Sequence, residues 1–318
     1  MTPQTSKKPN IDLPKGTMIK GKWHHQTYRV IERLGAGAIG TVYLCESSQK
    51  KVALKLSNHS HSLTSEVNVL RAFKQVQGHS LGPALLDVDD FVTNNNCIYT
   101  FYVMEYLSGE PLHDFIKKRG MEWIYSLLIG LLNDLQALHE NGYVFGDLKL
   151  DNLLVTHKPT RLKWVDVGGT TQQGRLIKEY TEFYDRGYWH MGSRKAEPSY
   201  DLFALAMVVI RLFYPNGFLK RNDPKKTIQQ KVYQNIREPL LQAFVMQLLQ
   251  GKFHQAKEAK QFLLQSYLQQ SKQPSQRKKQ KQRSSQQNTS ETEYPVFEIV
   301  SIFSVGGFLS IYVAIFLF

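Results

Sequence analysis

Between Tyr28 and Glu46 the chain alternates apolar and polar residues in YRVIERL, breaks on GAGAIG, and resumes the alternation in TVYLCE. A period of two is the spacing of a half-buried strand, so the pattern predicts a hairpin whose turn carries glycines at positions 35, 37 and 40. Glycine lets a backbone approach a phosphate closely and aim N–H donors at it. A dinucleotide-binding turn uses similar glycine spacing, but there the glycines open a helix. TVYLCE is β-branched and alternating, which selects strand–turn–strand.

The following segments extend that hairpin. After a turn at SSQKK, VALKL reads as a further strand with Lys55 among apolar neighbours. SLTSEVNVLRAF then has apolar residues at Leu63, Val67 and Leu70, a helical spacing that opens after a run of Ser and His, with Glu66 bordering the stripe. A strand cation and an anion on the inward side of the next helix can pair. YTFYVMEYLSG runs from a strand into a glycine-containing connector, which suits a hinge between two lobes. LLIGLLNDLQALHENG is an amphipathic helix stopped by Asn-Gly, and it delivers the chain into YVFGDLKLDNLLV. There Asp147, Lys149 and Asn152 stand at fixed offsets before a short apolar strand.

A chain of 318 residues with 42% hydrophobic content can bury a substantial core and suits one two-lobed domain with appendages. Cys45 and Cys97 are too few for a disulfide framework, and no Cys/His pairs have zinc-ligand spacing, which favours reduced thiols in the cytosol. The first residues carry lysines but no apolar run, so no secretory signal is expected. Ile299 to Phe318 carries no charge and matches the roughly 20 residues that span a bilayer. A Gln-, Lys- and Ser-rich stretch, expected to be a disordered linker, separates it from the foldable chain. The cations from Lys272 to Arg283 would leave the large N-terminal region in the cytoplasm by the positive-inside rule. The expected organisation is an N-terminal arm over 1–20, a catalytic domain over 21–268 divided at 106/107, a basic linker over 269–295 and a membrane anchor over 296–318.

GAGAIGTVYL, VALKL, the helix glutamate, MEYLSG, DLKLDN and DVGG together, in this order, resemble a Hanks-type protein kinase over about Gly21 to Leu263. DVGGTT, YTEFYDRGYW and AEPSYDLFALAM, with the tail anchor, look like the membrane-anchored Ser/Thr kinases of endospore-forming bacilli. The resemblance implies an α+β, two-lobed fold with a β-rich N-lobe and a mainly helical C-lobe, and ATP and Mg²⁺ as cofactors. It implies that Leu34, Gly35, Ala36, Gly37, Ala38, Ile39 and Gly40 cover the phosphates, and that Lys55 paired with Glu66 holds the α/β-phosphates. Glu105 and Leu107 would offer backbone groups to adenine between Val42, Ala53 and Leu154. Asp147 would accept the substrate hydroxyl's proton, Lys149 would steady the γ-phosphate, and Asn152 and Asp166 would bind Mg²⁺.

The sequence departs from the family pattern in four places. Phe145 and Gly146 stand where the catalytic loop has His and Arg; Phe145 can supply apolar support, whereas Gly146 offers no cation to an activation-segment phosphate. Val167 replaces the Phe of D-F-G, and after Thr181 the sequence EFYDRGY lacks the glutamate that anchors the segment in A-P-E. Thr170, Thr171 and Thr181 are the candidate phosphosites. Two alternatives stay open: a small-molecule phosphotransferase of aminoglycoside or RIO type, because F-G-D-L resembles H-G-D-L, and a pseudokinase acting as a DNA- or membrane-binding module.

The formal net charge of +13 calls for an anionic partner. Arg277, Lys278, Lys279, Lys281 and Arg283 are the candidate polyanion contacts, to anionic lipid at about 1 kcal/mol per cation or to DNA without sequence preference. Further cations lie at Lys7, Lys8, Lys15, Lys20 and Lys22 and in FLKRNDPKK. Protein substrates are expected partners, and Gly306 with Ser310 forms a small-x-x-x-small pair through which two anchors could self-associate.

Overall fold

The computed structural model describes residues 11–37, 40–74 and 82–272. Its first lobe is a six-stranded antiparallel sheet in the order β1-β2-β3-β4-β6-β5. The strands are β1 (Met18–Lys20), β2 (Thr27–Ala36), β3 (Thr41–Ser47), β4 (Lys50–Ser57), β5 (Leu85–Val92) and β6 (Ile98–Glu105), with helix α1 (Ser60–Lys74) between β4 and β5. The period of two sorts β4 onto two faces. Val52, Leu54 and Leu56 join Ile19, Tyr43 and Phe101 in one core, while Ala53 faces the other core with Leu63, Val67 and Leu70 of α1. Lys55 shares the Ala53 face, which turns its stem toward the cleft.

The lobe begins before the boundary expected at Gly21. β1 pairs with β2 from Met18↔Arg29 to Lys20↔Thr27, and Ile11 and Leu13 pack on the outer core. The "arm" therefore contains the sheet's edge strand, because Ile19, Ile11 and Leu13 are the apolar cover that this face needs.

The second lobe opens with β7 (Gly109–Pro111), α2 (Leu112–Arg119) and α3 (Trp123–Glu140). Helix α3 starts four residues earlier than the apolar run suggested. β8 (Tyr143–Val144), β9 (Leu153–His157), β10 (Thr160–Trp164) and β11 (Thr171–Gln172) follow as short antiparallel pairs, β9 with β10 and β7, and β11 with β8. The helical remainder is α4 (Pro198–Phe213), α5 (Pro224–Asn235), α6 (Pro239–Leu249) and α7 (Ala256–Lys272). Helix α4 is buried on all sides from Tyr200 to Ile210, as expected of a helix that is hydrophobic all round. Burying each large apolar side chain contributes about 1.5–3 kcal/mol, so this helix is the lobe's central post.

The linker boundary at 269 falls inside α7, whose last turns reach Lys272 and whose Tyr267 ring sits 5.0 Å from that of Tyr125. The compact unit ends at Gln270. Among the described residues no helix is long and apolar enough to cross a membrane. The expected anchor, the linker cations from Arg277 to Arg283, the Gly306/Ser310 pair, Lys7, Lys8, Ala38 and Ile39 all lie outside the described residues.

Candidate active site

A cavity of about 370 Å³ lies between the lobes, with Leu34, Gly35, Val42 and Ala53 on one side and Leu107, Asn152, Leu154 and Asp166 on the other. Glu105, Tyr106 and Leu107 form its connecting edge. Ala36, Gly37 and Gly40 do not line it. Gly40 answers a different demand from the phosphate access expected of it: a Cβ there would stand 2.4 Å from the Leu56 carbonyl oxygen on β4. It is a glycine because β3 starts hard against its neighbour strand.

Lys55 is almost fully buried beside the cavity, its Nζ 2.7 Å from Glu66 Oε2 and 3.4 Å from Asp166 Oδ1. Tyr102 donates its hydroxyl to the same Glu66 oxygen at 2.8 Å. Burial works against the Lys55 ammonium, but Asp166 and Glu66 outweigh it and hold the lysine above its usual pKa. Burial also raises the Glu66 pKa, with Lys55 opposing. Strand β4 and helix α1 thus bring together two residues eleven apart, and the loop after β10 adds the third member.

The catalytic loop is tight. Lys149 Nζ lies 2.5 Å from Asp147 Oδ2, and Asn152 Nδ2 donates to the Asp147 carbonyl at 2.8 Å and to Oδ2 at 3.1 Å. Burial raises the Asp147 pKa above the ordinary carboxylate value, with Lys149 pulling it back. Thr181 donates toward Asp147 Oδ1 at 3.5 Å and lies 3.5 Å from Lys149 Nζ.

Gly146 turns out to be more than a missing arginine. Its φ is +80°, and a Cβ would meet the Gly169 carbonyl oxygen at 2.6 Å, while a Cβ on Gly169 would meet Asp147 Cβ at the same distance. The loop after Asp166 and the catalytic loop touch backbone to backbone, and only glycine permits it. Phe145 is buried and stacks on Trp164 with ring centroids 4.9 Å apart. Val167 is buried in the same core.

Two residues that sequence reasoning missed hold this loop from beneath. Asp201 of α4 is fully buried and accepts the backbone N–H of Phe145 at 2.8 Å and of Gly146 at 2.9 Å. Its Oδ2 also lies 2.9 Å from His139 Nε2 at the end of α3. The available signal was a lone carboxylate inside the apolar run YDLFALAMVVI, since a buried charge must have partners.

The candidate phosphosites separate. Thr181 is exposed. Thr170 and Thr171 are only 2% and 1% exposed, with Thr171 donating to the Gly169 carbonyl at 2.9 Å and pairing with Val144 across β11 and β8. In this conformation neither can accept a phosphate, because both side chains are buried. The segment is also not left unanchored by the missing A-P-E glutamate. Arg186 Nη2 lies 2.6 Å from Glu197 Oε1, and its Nη1 donates to Ser199 Oγ at 2.8 Å.

Comparison with known proteins agrees with this geometry. Residues 28–292 match the protein kinase domain family. The chain is 49% identical over 256 residues to serine/threonine-protein kinase YabT of Bacillus subtilis (strain 168), covering 79% of this chain and 75% of that protein. It is 26% identical over 254 residues to serine/threonine-protein kinase ArnS of Sulfolobus acidocaldarius, covering 66% of this chain and 40% of the relative. It is 25% identical over 228 residues to cyclin-dependent kinase G-2 of Oryza sativa subsp. indica, covering 66% of this chain and 31% of the relative.

Proposed function

The chain belongs to the protein kinase domain family and is an ATP-dependent serine/threonine kinase, and from that premise we propose that the cleft between β4 and the catalytic loop is its working site, tethered to a membrane. The observation that carries the reading is Lys55 ion-paired to both Glu66 and Asp166. A degraded site has no reason to keep a buried cation between two carboxylates, since an unmatched charge there would cost several kcal/mol.

In this reading adenine lies between Val42, Ala53 and Leu154, and Lys55 holds the α/β-phosphates. The donor set fits a divalent cation: Asn152 spends its amide nitrogen on Asp147 and keeps its oxygen, and Asp166 presents a half-exposed carboxylate at the cavity. Mg²⁺ held there would neutralise phosphate charge. Asp147 receives the acceptor hydroxyl's proton, and Lys149 steadies both the carboxylate and the transferred group. The incoming Ser or Thr belongs to a protein, and a second copy of the chain is one such substrate.

Membrane attachment is proposed from the charge-free Ile299–Phe318, with the kinase domain on the cytoplasmic side, and contact with DNA or anionic lipid from the Arg277–Arg283 cluster. The central test is transfer of labelled phosphate from ATP with Mg²⁺ to a generic basic protein, run beside an aminoglycoside panel. Phosphoserine or phosphothreonine in the protein supports the reading; label only in the panel overturns it. Deleting 299–318 should release activity to the soluble fraction. Replacing the five linker cations with Gln should flatten the salt dependence of DNA binding, each neutralised phosphate contributing a slope of about 0.9.

A further inference from the structure

Asp185 is a carboxylate with no part in the chemistry described so far, and it is completely buried within the activation segment. It accepts Arg194 Nε at 2.8 Å and Nη2 at 2.6 Å, the backbone N–H of Gly187 at 3.0 Å and of Tyr188 at 2.8 Å, and the Tyr200 hydroxyl at 3.0 Å. A buried carboxylate is tolerable only when its charge is paired and its lone pairs are filled, and a guanidinium fork does both with fixed geometry. Gly187 leaves the fork its room: a Cβ there would stand 2.9 Å from Arg194 Nε and 3.3 Å from Asp185 Oδ1.

The fork reaches the acceptor site from two directions. The Arg194 guanidinium lies 3.9 Å over the Tyr180 ring, and Tyr180 immediately precedes Thr181. On the other side of Thr181 the 3-10 turn Glu182–Tyr184 leads directly into Asp185. The backbone of Arg194 is itself pinned, because its carbonyl accepts the Ile177 N–H at 2.9 Å while Ala196 exchanges hydrogen bonds with Gly174 at 2.9 Å and Arg175 at 2.7 Å. Thr181 therefore stands on a short span with both ends fastened to one ion pair.

We propose that Asp185 and Arg194 are a positioning pair for phosphoryl transfer, a carboxylate–guanidinium clamp that fixes Tyr180 and the turn after it and so sets the Thr181 hydroxyl against Asp147 and Lys149. The clamp does from within the segment, by a permanent ion pair, what Gly146 cannot do through a phosphate. It rests on the kinase reading of the site, which an inactive wild type or a fully active Asp147→Asn would overturn independently.

The test is a double-mutant cycle in the purified full chain with Arg194→Ala, Thr181→Val and the double variant. Readouts are kcat, the KM for ATP and Tm, with assays run well below each Tm. Arg194→Ala should lower kcat about tenfold while KM for ATP stays within about twofold, and the double variant should be no more than about twofold worse than the poorer single, since residues acting through one contact are not additive. Unchanged kcat, additive losses, or a matching rise in the KM for ATP would each overturn the clamp. Gly187→Ala presses on Arg194 without removing a charge and should give the same loss confined to kcat; normal kcat in that variant also counts against the proposal.

Discussion

The two sides of the cleft hold their charged groups by different means. On the nucleotide side Lys55 comes from a strand and Glu66 from a helix, and the sheet and helix periods bring them to 2.7 Å. On the acceptor side residues 181–197 contain one 3-10 turn before α4 begins, and their ion pairs, Asp185 with Arg194 and Arg186 with Glu197, join residues nine and eleven positions apart. Regular elements make the first arrangement follow from spacing. The second depends on an irregular path that no period describes. A kinase site can therefore be ordinary where it holds the nucleotide and individual where it presents the acceptor.

The largest effect should come from the shared chemistry that both sides serve. Asp147→Asn keeps the loop's shape but removes the proton acceptor, and Lys55→Ala frees the phosphates. Each should lower the phosphorylation rate by at least about 100-fold, the scale of a lost catalytic group. Full activity in both variants, measured with labelled ATP, would break the comparison at its root.

Next comes the support that neither side shows in its own sequence. Asp201→Ala strands the N–H groups of Phe145 and Gly146 and one nitrogen of His139, all buried around α4. Each orphaned buried group costs about 1–3 kcal/mol, so the variant should lose several degrees of Tm together with activity. Retained Tm in thermal unfolding would mean that the catalytic loop is held from elsewhere.

The contrast explains what the sequence disclosed. The glycine-interrupted hairpin, the strand carrying Lys55, the helix carrying Glu66 and the D-x-K-x-x-N spacing were legible because each is a local period or a fixed offset. β5 and α2 were not read, since LLDVDDFV mixes three carboxylates into a strand and LHDFIKKR is too short for a clear stripe. Asp201, His139, Asp185 and Arg194 act across 9 to 62 residues of separation, through burial that only the folded chain reveals. Gly146 was legible as an absence, and its positive φ and close approach to Gly169 needed coordinates.

A smaller effect sharpens the acceptor side. Thr170 and Thr171 are both buried, and Gly146 gives a phosphate no cation, so Thr170→Ala with Thr171→Ala should keep activity within about threefold of wild type, the range of a modest packing loss. Thr181→Ala should fall well below that. A dead 170/171 variant beside an unaffected Thr181→Ala would reverse the assignment and reopen the segment to control by phosphate.

The smallest effect is a displacement of the pH profile. Phosphoryl transfer needs Asp147 as carboxylate, and burial raises its pKa while Lys149 and Asn152 lower it. Because the folded pKa is raised, the acid limb of kcat should lie above the ordinary carboxylate range, with activity lost as pH falls through it. Lys149→Met removes the nearest cation, 2.5 Å from Oδ2, and leaves the burial in place. The carboxyl then protonates more readily, so the acid limb should move further up in pH, in addition to any fall in the plateau. An acid limb that stays put or moves down would mean that the Asp147 charge is set by groups other than Lys149. The acceptor side would then hold its carboxylate as the nucleotide side holds Lys55, between several partners at once.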